Sequence, residues 1–282
     1  MNSETMAVIA AAACFLVATL ACSRSEEAGV WLGAAGVAFL AGSLVARGWG
    51  ARYWPLNTSY ESTLAFALST ALSGILIGRR NERLTLTPQT PTIRAATMAL
   101  AAALLVYARL GMPAASHTIR PLPPDLSSIW QQLHVGTAAL GHGALAMAGL
   151  AGLVRLVQKP GQNDAGTPDP PVPTGTSDSQ DVQWLLNRAM IAGYPLLTLS
   201  LVFGMIGSWT AWGHPRLWDV KGISTLLTWL VYTSYWPLRR RTGWNDRQAS
   251  WWALIGLGCL LLTFLGARLL MRWTGLESQH LF

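Results

Sequence analysis

Apolar runs of membrane-crossing length recur along this chain, and they decide its fold class before any single residue does. A helix needs ~17 to 25 predominantly apolar residues to span a bilayer. Backbone N–H and C=O groups in hydrocarbon meet no water and must pair within the segment. Several runs reach that length, and eight helices are read, at about 6–22, 28–45, 59–77, 95–110, 133–157, 189–208, 223–238 and 249–271. The third carries Glu61 and several Ser and Thr residues, so a short or tilted helix is expected there. The fold class is all-α, a polytopic membrane helix bundle. Only 12% of the 282 residues are charged and 51% are hydrophobic, against a usual charged share of about 25%. The net charge of +7 calls for no nucleic acid, because membrane proteins collect Lys and Arg in cytoplasmic loops.

The chain divides into helices one to five (1–157), a linker (158–183) and helices six to eight (184–282) with a tryptophan-rich loop at 209–222. The linker is rich in Pro, Gly, Asp, Ser and Thr, a composition that builds no core. The N-terminus lacks the basic region of a cleavable signal, so 6–22 is read as a retained span. With eight spans both termini share a face. Twelve of the twenty Lys and Arg residues fall in the loops after helices one, three, five and seven, with Arg79-Arg80 and Arg239-Arg240-Arg241 against helix ends. That face is cytoplasmic by the positive-inside rule, and the tryptophan loop is external. Cys14, Cys22 and Cys259 lie in apolar runs without a CxxC pair and read as small core residues.

The loop Trp209-Thr-Ala-Trp212-Gly-His214-Pro-Arg-Leu-Trp218-Asp219 sets three indoles and an imidazole in eleven residues. Two readings stand: an interfacial aromatic belt that anchors the protein, or a flat platform for a large planar ligand. The histidines bear on the choice. His134, His214, His117 and His280 all fall on the tryptophan face, where imidazole nitrogens for iron and aromatic faces for a porphyrin would meet. His142 alone lies within the membrane. It is eight residues after His134, about 80° round a helix and so off its face. Between Gly141 and Gly143, which permit close approach by a neighbouring helix, it reads as an interhelical hydrogen-bonding residue first and a ligand second.

On these residues the chain resembles the CcsA/ResC-type proteins of cytochrome c assembly, a haem-handling superfamily with an external tryptophan-rich loop. The matching stretches are Gly193-Tyr-Pro-Leu through Trp209-Thr-Ala-Trp212-Gly, Trp218-Asp219-Val-Lys221, Leu227-Thr-Trp229-Leu-Val-Tyr232, Pro55-Leu-Asn-Thr-Ser-Tyr60-Glu61-Ser, Trp130-Gln-Gln-Leu-His134-Val and Arg241-Thr-Gly-Trp244. The resemblance implies a protein that binds haem b as its substrate at the external face and presents it for covalent attachment to the CxxCH motif of apocytochrome c. It implies a component of a cytochrome c synthase, or haem lyase, complex in the cytoplasmic (inner) or a thylakoid-type membrane. A second membrane subunit with a large external domain, CcsB/ResB-like, is the implied partner. Trp209, Trp212, Trp218, Asp219 and His214 would line the haem, with Asp219 also placed to cap the seventh helix. His134 would ligate iron from one side and His280 from the other. The family's second external histidine is replaced here by Glu277, three residues before His280, and its inner-end histidine by Pro237. Those departures motivate another reading, a non-catalytic assembly or regulatory subunit that has lost haem transfer; the polytopic fold motivates a third, a haem exporter.

The orientation is checked by cysteine labelling in intact cells. A cysteine placed at His214 is expected to react with a membrane-impermeant maleimide and one placed at Arg240 to react only after lysis.

Overall fold

Apolar helices in hydrocarbon gain nothing from expelling water, so their packing rests on how closely backbones approach. The computed structural model describes residues 3–76, 89–119, 128–157, 178–214 and 220–266. Within them run eight helices: α1 (Ser3–Ala21), α2 (Glu26–Ala51), α3 (Ser59–Leu76), α4 (Gln89–Val106), α5 (Ile129–Val157), α6 (Asp178–Trp212), α7 (Val220–Arg239) and α8 (Asp246–Leu261). Two continue into a π-type turn, α4 over Tyr107–Gly111 and α8 over Leu262–Gly266, and a 3₁₀ turn follows α4 at Ala114–His117. The architecture is the expected polytopic bundle, with the helix positions expected from the apolar runs.

Helix α5 is the hub, packed against α3, α6 and α8. Its glycines make those contacts close. A Cβ on Gly141 would stand 2.9 Å from the Leu197 backbone nitrogen of α6, and one on Gly152 would stand 2.6 Å from the Ser250 carbonyl of α8. A Cβ on Gly143 would run into the backbone of Ser69 on α3, whose hydroxyl donates to the Ala139 carbonyl of α5. His142 is buried, its ring edge-on to Phe66 of α3 at 5.9 Å and to Phe264 at 5.1 Å. These ring contacts join α5 to α3 and to the turn after α8.

Among the described residues six helical segments are long and apolar enough to cross a membrane, and α3 and α7 are the two helices outside that set. Their positions explain the difference. Twelve of the eighteen residues of α3 are buried, so it faces other helices and can carry the Ser, Thr and Glu side chains that made it look weak as a span. Helix α1 is its opposite. It buries only Val8, Ala11, Phe15 and Ala18, a single stripe at helical spacing, and turns the rest outward. Helix α7 is amphipathic in the inverted sense. Ile223, Leu227 and Leu230 are exposed on one side, while Thr228, Tyr232 and Tyr235 are buried on the other. Thr228 pairs with Thr263 at 3.1 Å, Tyr194 of α6 with Thr233 at 3.2 Å, and Tyr235 donates to Asn187 at 2.7 Å. Thr228 and Thr233 also donate to carbonyls of their own helix, so turning them inward adds contacts between helices.

Exposed tryptophans gird both ends of the bundle, Trp49, Trp54 and Trp209 at one and Trp31 and Trp251 at the other. Trp31 and Trp49 stand eighteen residues apart on α2, about 27 Å along the axis, against a hydrocarbon core of ~30 Å. Helix α6 begins at Asp178, continues through Pro195 and reaches Trp212; residues 158–177 of the expected linker lie outside the described residues. The two groups of helices on either side of the linker share α5, which packs on α3 from one group and on α6 and α8 from the other.

Two substitutions separate close packing from mere apolarity. Gly141→Leu is expected to destabilise the detergent-solubilised protein by about 1–3 kcal/mol or more, read from its thermal midpoint. Gly42→Leu, where a Cβ meets nothing within 4 Å, is expected to leave the midpoint in place.

Candidate functional site at the tryptophan end

Helices α5 and α6 run antiparallel, and the first turns of α5 lie along the last turns of α6. Trp130 of α5 packs against Phe203 with ring centroids 6.2 Å apart, and its Cβ lies 3.2 Å from where a Cβ on Gly207 would stand. One turn on, His134 sits over Gly204, where a Cβ would come within 2.7 Å of Nδ1. Helix α6 then continues past Trp209 and Trp212 and ends at Gly213, whose φ of +73° turns the chain out of the helix. The Gly213 N–H bonds the Trp209 carbonyl at 2.9 Å. His134 and the first two tryptophans of the loop therefore belong to the same end of the bundle. Trp209 is 61% exposed, Trp212 is half-buried and His214 is exposed. The His214 carbonyl accepts from Ser208 Oγ at 3.0 Å. Trp218, Asp219, Glu277 and His280 lie outside the described residues.

The hydrogen bonds distinguish His134 from His117. Nδ1 of His134 is 2.7 Å from the Ser200 carbonyl and 3.2 Å from Ser200 Oγ. A carbonyl only accepts, so Nδ1 carries the proton and the ring's lone pair is on Nε2. That is the arrangement in which a metal-binding histidine is held by a partner on its other nitrogen. His117, in the 3₁₀ turn, has the opposite tautomer. Arg109 Nη1, a donor only, meets its Nδ1 at 2.8 Å, and its Nε2 meets the Ala108 carbonyl at 3.0 Å. Both its nitrogens hold the turn together. Among the described residues no group of three or more His, Cys, Asp or Glu side chains is arranged to hold a metal ion.

A second feature of this end lies in residues that the sequence reading did not join. Arg47 of α2 and Glu61 of α3 form an ion pair at 2.7 Å with both side chains fully buried. Arg47 also bonds Glu4 of α1 at 2.9 Å and the His117 carbonyl at 2.9 Å, and its guanidinium lies over the Tyr60 ring at 5.2 Å. The remaining oxygen of Glu61 accepts from the backbone N–H groups of Asn57 and Thr58 at 2.9 and 3.0 Å. Thr58 Oγ1 in turn accepts from the Glu61 N–H at 3.2 Å. Thr58-Ser-Tyr-Glu61 is thus a capping box, a pattern the sequence carries openly. The Tyr53 phenol, in the same loop, is pushed up by burial and by the neighbouring Glu61 charge.

Residues 56–273 match the family of cytochrome C assembly proteins. The chain belongs to that family. Cytochrome c biogenesis protein CcsA of Synechococcus sp. (strain CC9902) is 26% identical over 266 residues, covering 86% of this chain and 83% of that protein. CcsA of Thermosynechococcus vestitus (strain NIES-2133 / IAM M-273 / BP-1) is 28% identical over 278 residues, covering 86% and 84%. The family match opens at Leu56, in the loop that Glu61 caps, takes in His134 and the tryptophan loop, and closes before Glu277 and His280. Pro237 is carried within α7, which stays helical to Arg239.

Removing one member of a buried pair leaves an uncompensated charge. Glu61→Ala is expected to destabilise the protein by about 3–5 kcal/mol, measured by denaturant unfolding in detergent. Arg239→Ala removes the partly exposed pair with Asp246 and is expected to change stability by about 1 kcal/mol or less.

Proposed function

We propose that this protein binds haem at its tryptophan end and presents it for covalent attachment to apocytochrome c. The observation that carries the reading is the His134 hydrogen bond to the Ser200 carbonyl. It fixes the imidazole in the tautomer that offers Nε2 to iron, on the same end of α5 and α6 as Trp209 and Trp212. A neutral imidazole braced by a carbonyl and set beside indoles fits a porphyrin in donor chemistry and in shape. Trp209, Trp212 and Trp218 would cover the ring, each offset-stacked contact adding ~0.5–1.5 kcal/mol beyond burial. His214 and Asp219 would line its edge, and His280 would approach iron from the second side.

The protein's part is to hold and orient. Haem supplies the vinyl groups, and the CxxCH thiols of the recipient add to them to form thioether bonds. His134, braced by Ser200, would hold the iron. The indoles exclude water from one face and leave the other edge open to the recipient. A second membrane subunit with a large external domain would shelter that open edge, and the protein would act as the membrane part of a haem lyase complex. The exposed tryptophans at both ends suit a multi-pass protein of a cytoplasmic or thylakoid-type membrane with this end external. Pro237 and Glu277 favour one other reading, an assembly subunit that keeps the scaffold without passing haem on.

Purified, detergent-solubilised protein supplied with haem is expected to show a Soret band with a low-spin spectrum, and His134→Ala to abolish or broaden it. No Soret band, or a spectrum indifferent to His134→Ala, would remove the haem site from this position. Loss of c-type cytochromes on deletion of the gene would exclude the non-transferring reading.

A further inference from the structure

We propose that Glu61, fixed by Arg47, is a positioning residue for His134; the inference rests on the haem reading of His134 above. A capping box ordinarily sits in water and needs no cation to hold its carboxylate. Here the carboxylate is buried completely and shared. One oxygen takes the Nε of Arg47 at 2.7 Å, and the other takes the N–H groups of Asn57 and Thr58 at 2.9 and 3.0 Å. Arg47 in turn is anchored to α1 through Glu4 and to the 3₁₀ turn through the His117 carbonyl. An ionisable pair buried at a membrane helix end is expensive to keep, and its presence points to a task beyond starting a helix.

The task follows from what the fixed loop touches. Leu56, directly before Asn57, lies against α5: its Cδ1 is 3.6 Å from where a Cβ on Gly136 would stand. Gly136 is two residues beyond His134, about 200° round the helix, and so on the opposite side. On the His134 side, Gly204 leaves room for the ring and Ser200 holds Nδ1 at 2.7 Å. The first turns of α5 are therefore held between Leu56 and α6. Glu61 sets where Leu56 presses, and Leu56 sets how firmly His134 meets the Ser200 carbonyl. Neither Glu61 nor Arg47 touches haem in this scheme. They act through the loop and the helix.

The test uses the full-length protein, haem-loaded and in detergent, with three variants. Glu61→Gln weakens the capping carboxylate. Leu56→Ala removes the pressing side chain and leaves the ion pair intact. Gln248→Ala breaks the capping box of α8, formed by Asn245 and Gln248 at the opposite end of the bundle. Glu61→Gln and Leu56→Ala are each expected to weaken haem retention roughly tenfold, the lower range for loss of an outer partner of a metal-binding histidine, and to convert part of the low-spin spectrum to high-spin. Gln248→Ala is expected to lower the thermal midpoint and leave the spectrum of the wild type. The proposal is overturned if Leu56→Ala keeps the wild-type spectrum and retention, or if Gln248→Ala shifts them as far as the other two. Should Glu61→Gln fail to fold, Leu56→Ala against Gln248→Ala decides alone. A wild-type protein without a His134-dependent spectrum would remove the haem reading and this inference together; an unaltered Leu56→Ala beside a normal wild type would remove this inference only.

Discussion

Closeness of approach along α5 is the constraint on which the rest of the molecule depends. With no hydrophobic force between helices in lipid, contacts gain strength from close packing and from hydrogen bonds between helices. Glycine at positions 141, 143 and 152 lets three neighbours come within backbone range of one helix. That intimacy sets α6 against the start of α5, and so brings Ser200 to His134 and the last turn of α6 to the level of Trp130. A bulkier seam would move the imidazole away from its carbonyl and leave the tautomer undetermined. Helix packing and ligand chemistry are one matter at this end of the bundle.

The charges follow the same economy of placement. Arg47 and Glu61 are buried at a helix end where each finds more than one partner, and the pair knits α1, α2, α3 and the turn after α4 into one plate. They lie at one end of the bundle and not along a route through it, and this arrangement suits a static holder better than a carrier of polar cargo. Two α7 threonines likewise meet neighbouring helices, Thr228 at Thr263 and Thr233 at Tyr194.

Much of this was legible in the chain. The spans follow from composition because the bilayer accepts only self-satisfied backbones, and the glycines flanking His142 announced close contact before any neighbour was known. Less legible was α3. Its Ser, Thr and Glu residues lower its apolarity because it sees protein on most sides, and burial of that kind is a tertiary fact that no local window reports. Glu61 was read as a blemish in a span, although Thr58 three residues earlier marked it as half of a capping box. The partnership with Arg47 joins residues fourteen apart across a turn, and Glu4 is farther still. The sequence also grouped His117 with His134. Only the Arg109 contact, which turns the first ring's acceptor inward, separates a structural imidazole from one poised for iron.

The two tryptophan girdles carry a further consequence. Their spacing on α2 is a few ångströms under the ~30 Å of an average hydrocarbon core, so the bundle is cut for a slightly thin bilayer. In thicker lipid the mismatch is met by local compression of the membrane or by shifts in helix tilt, each at a fraction of a kcal/mol per Å. Tilt of α2 would bear first on Arg47, two residues below Trp49. Acyl-chain length would thereby reach a buried guanidinium, and the lipid around this protein becomes part of the geometry at its working end.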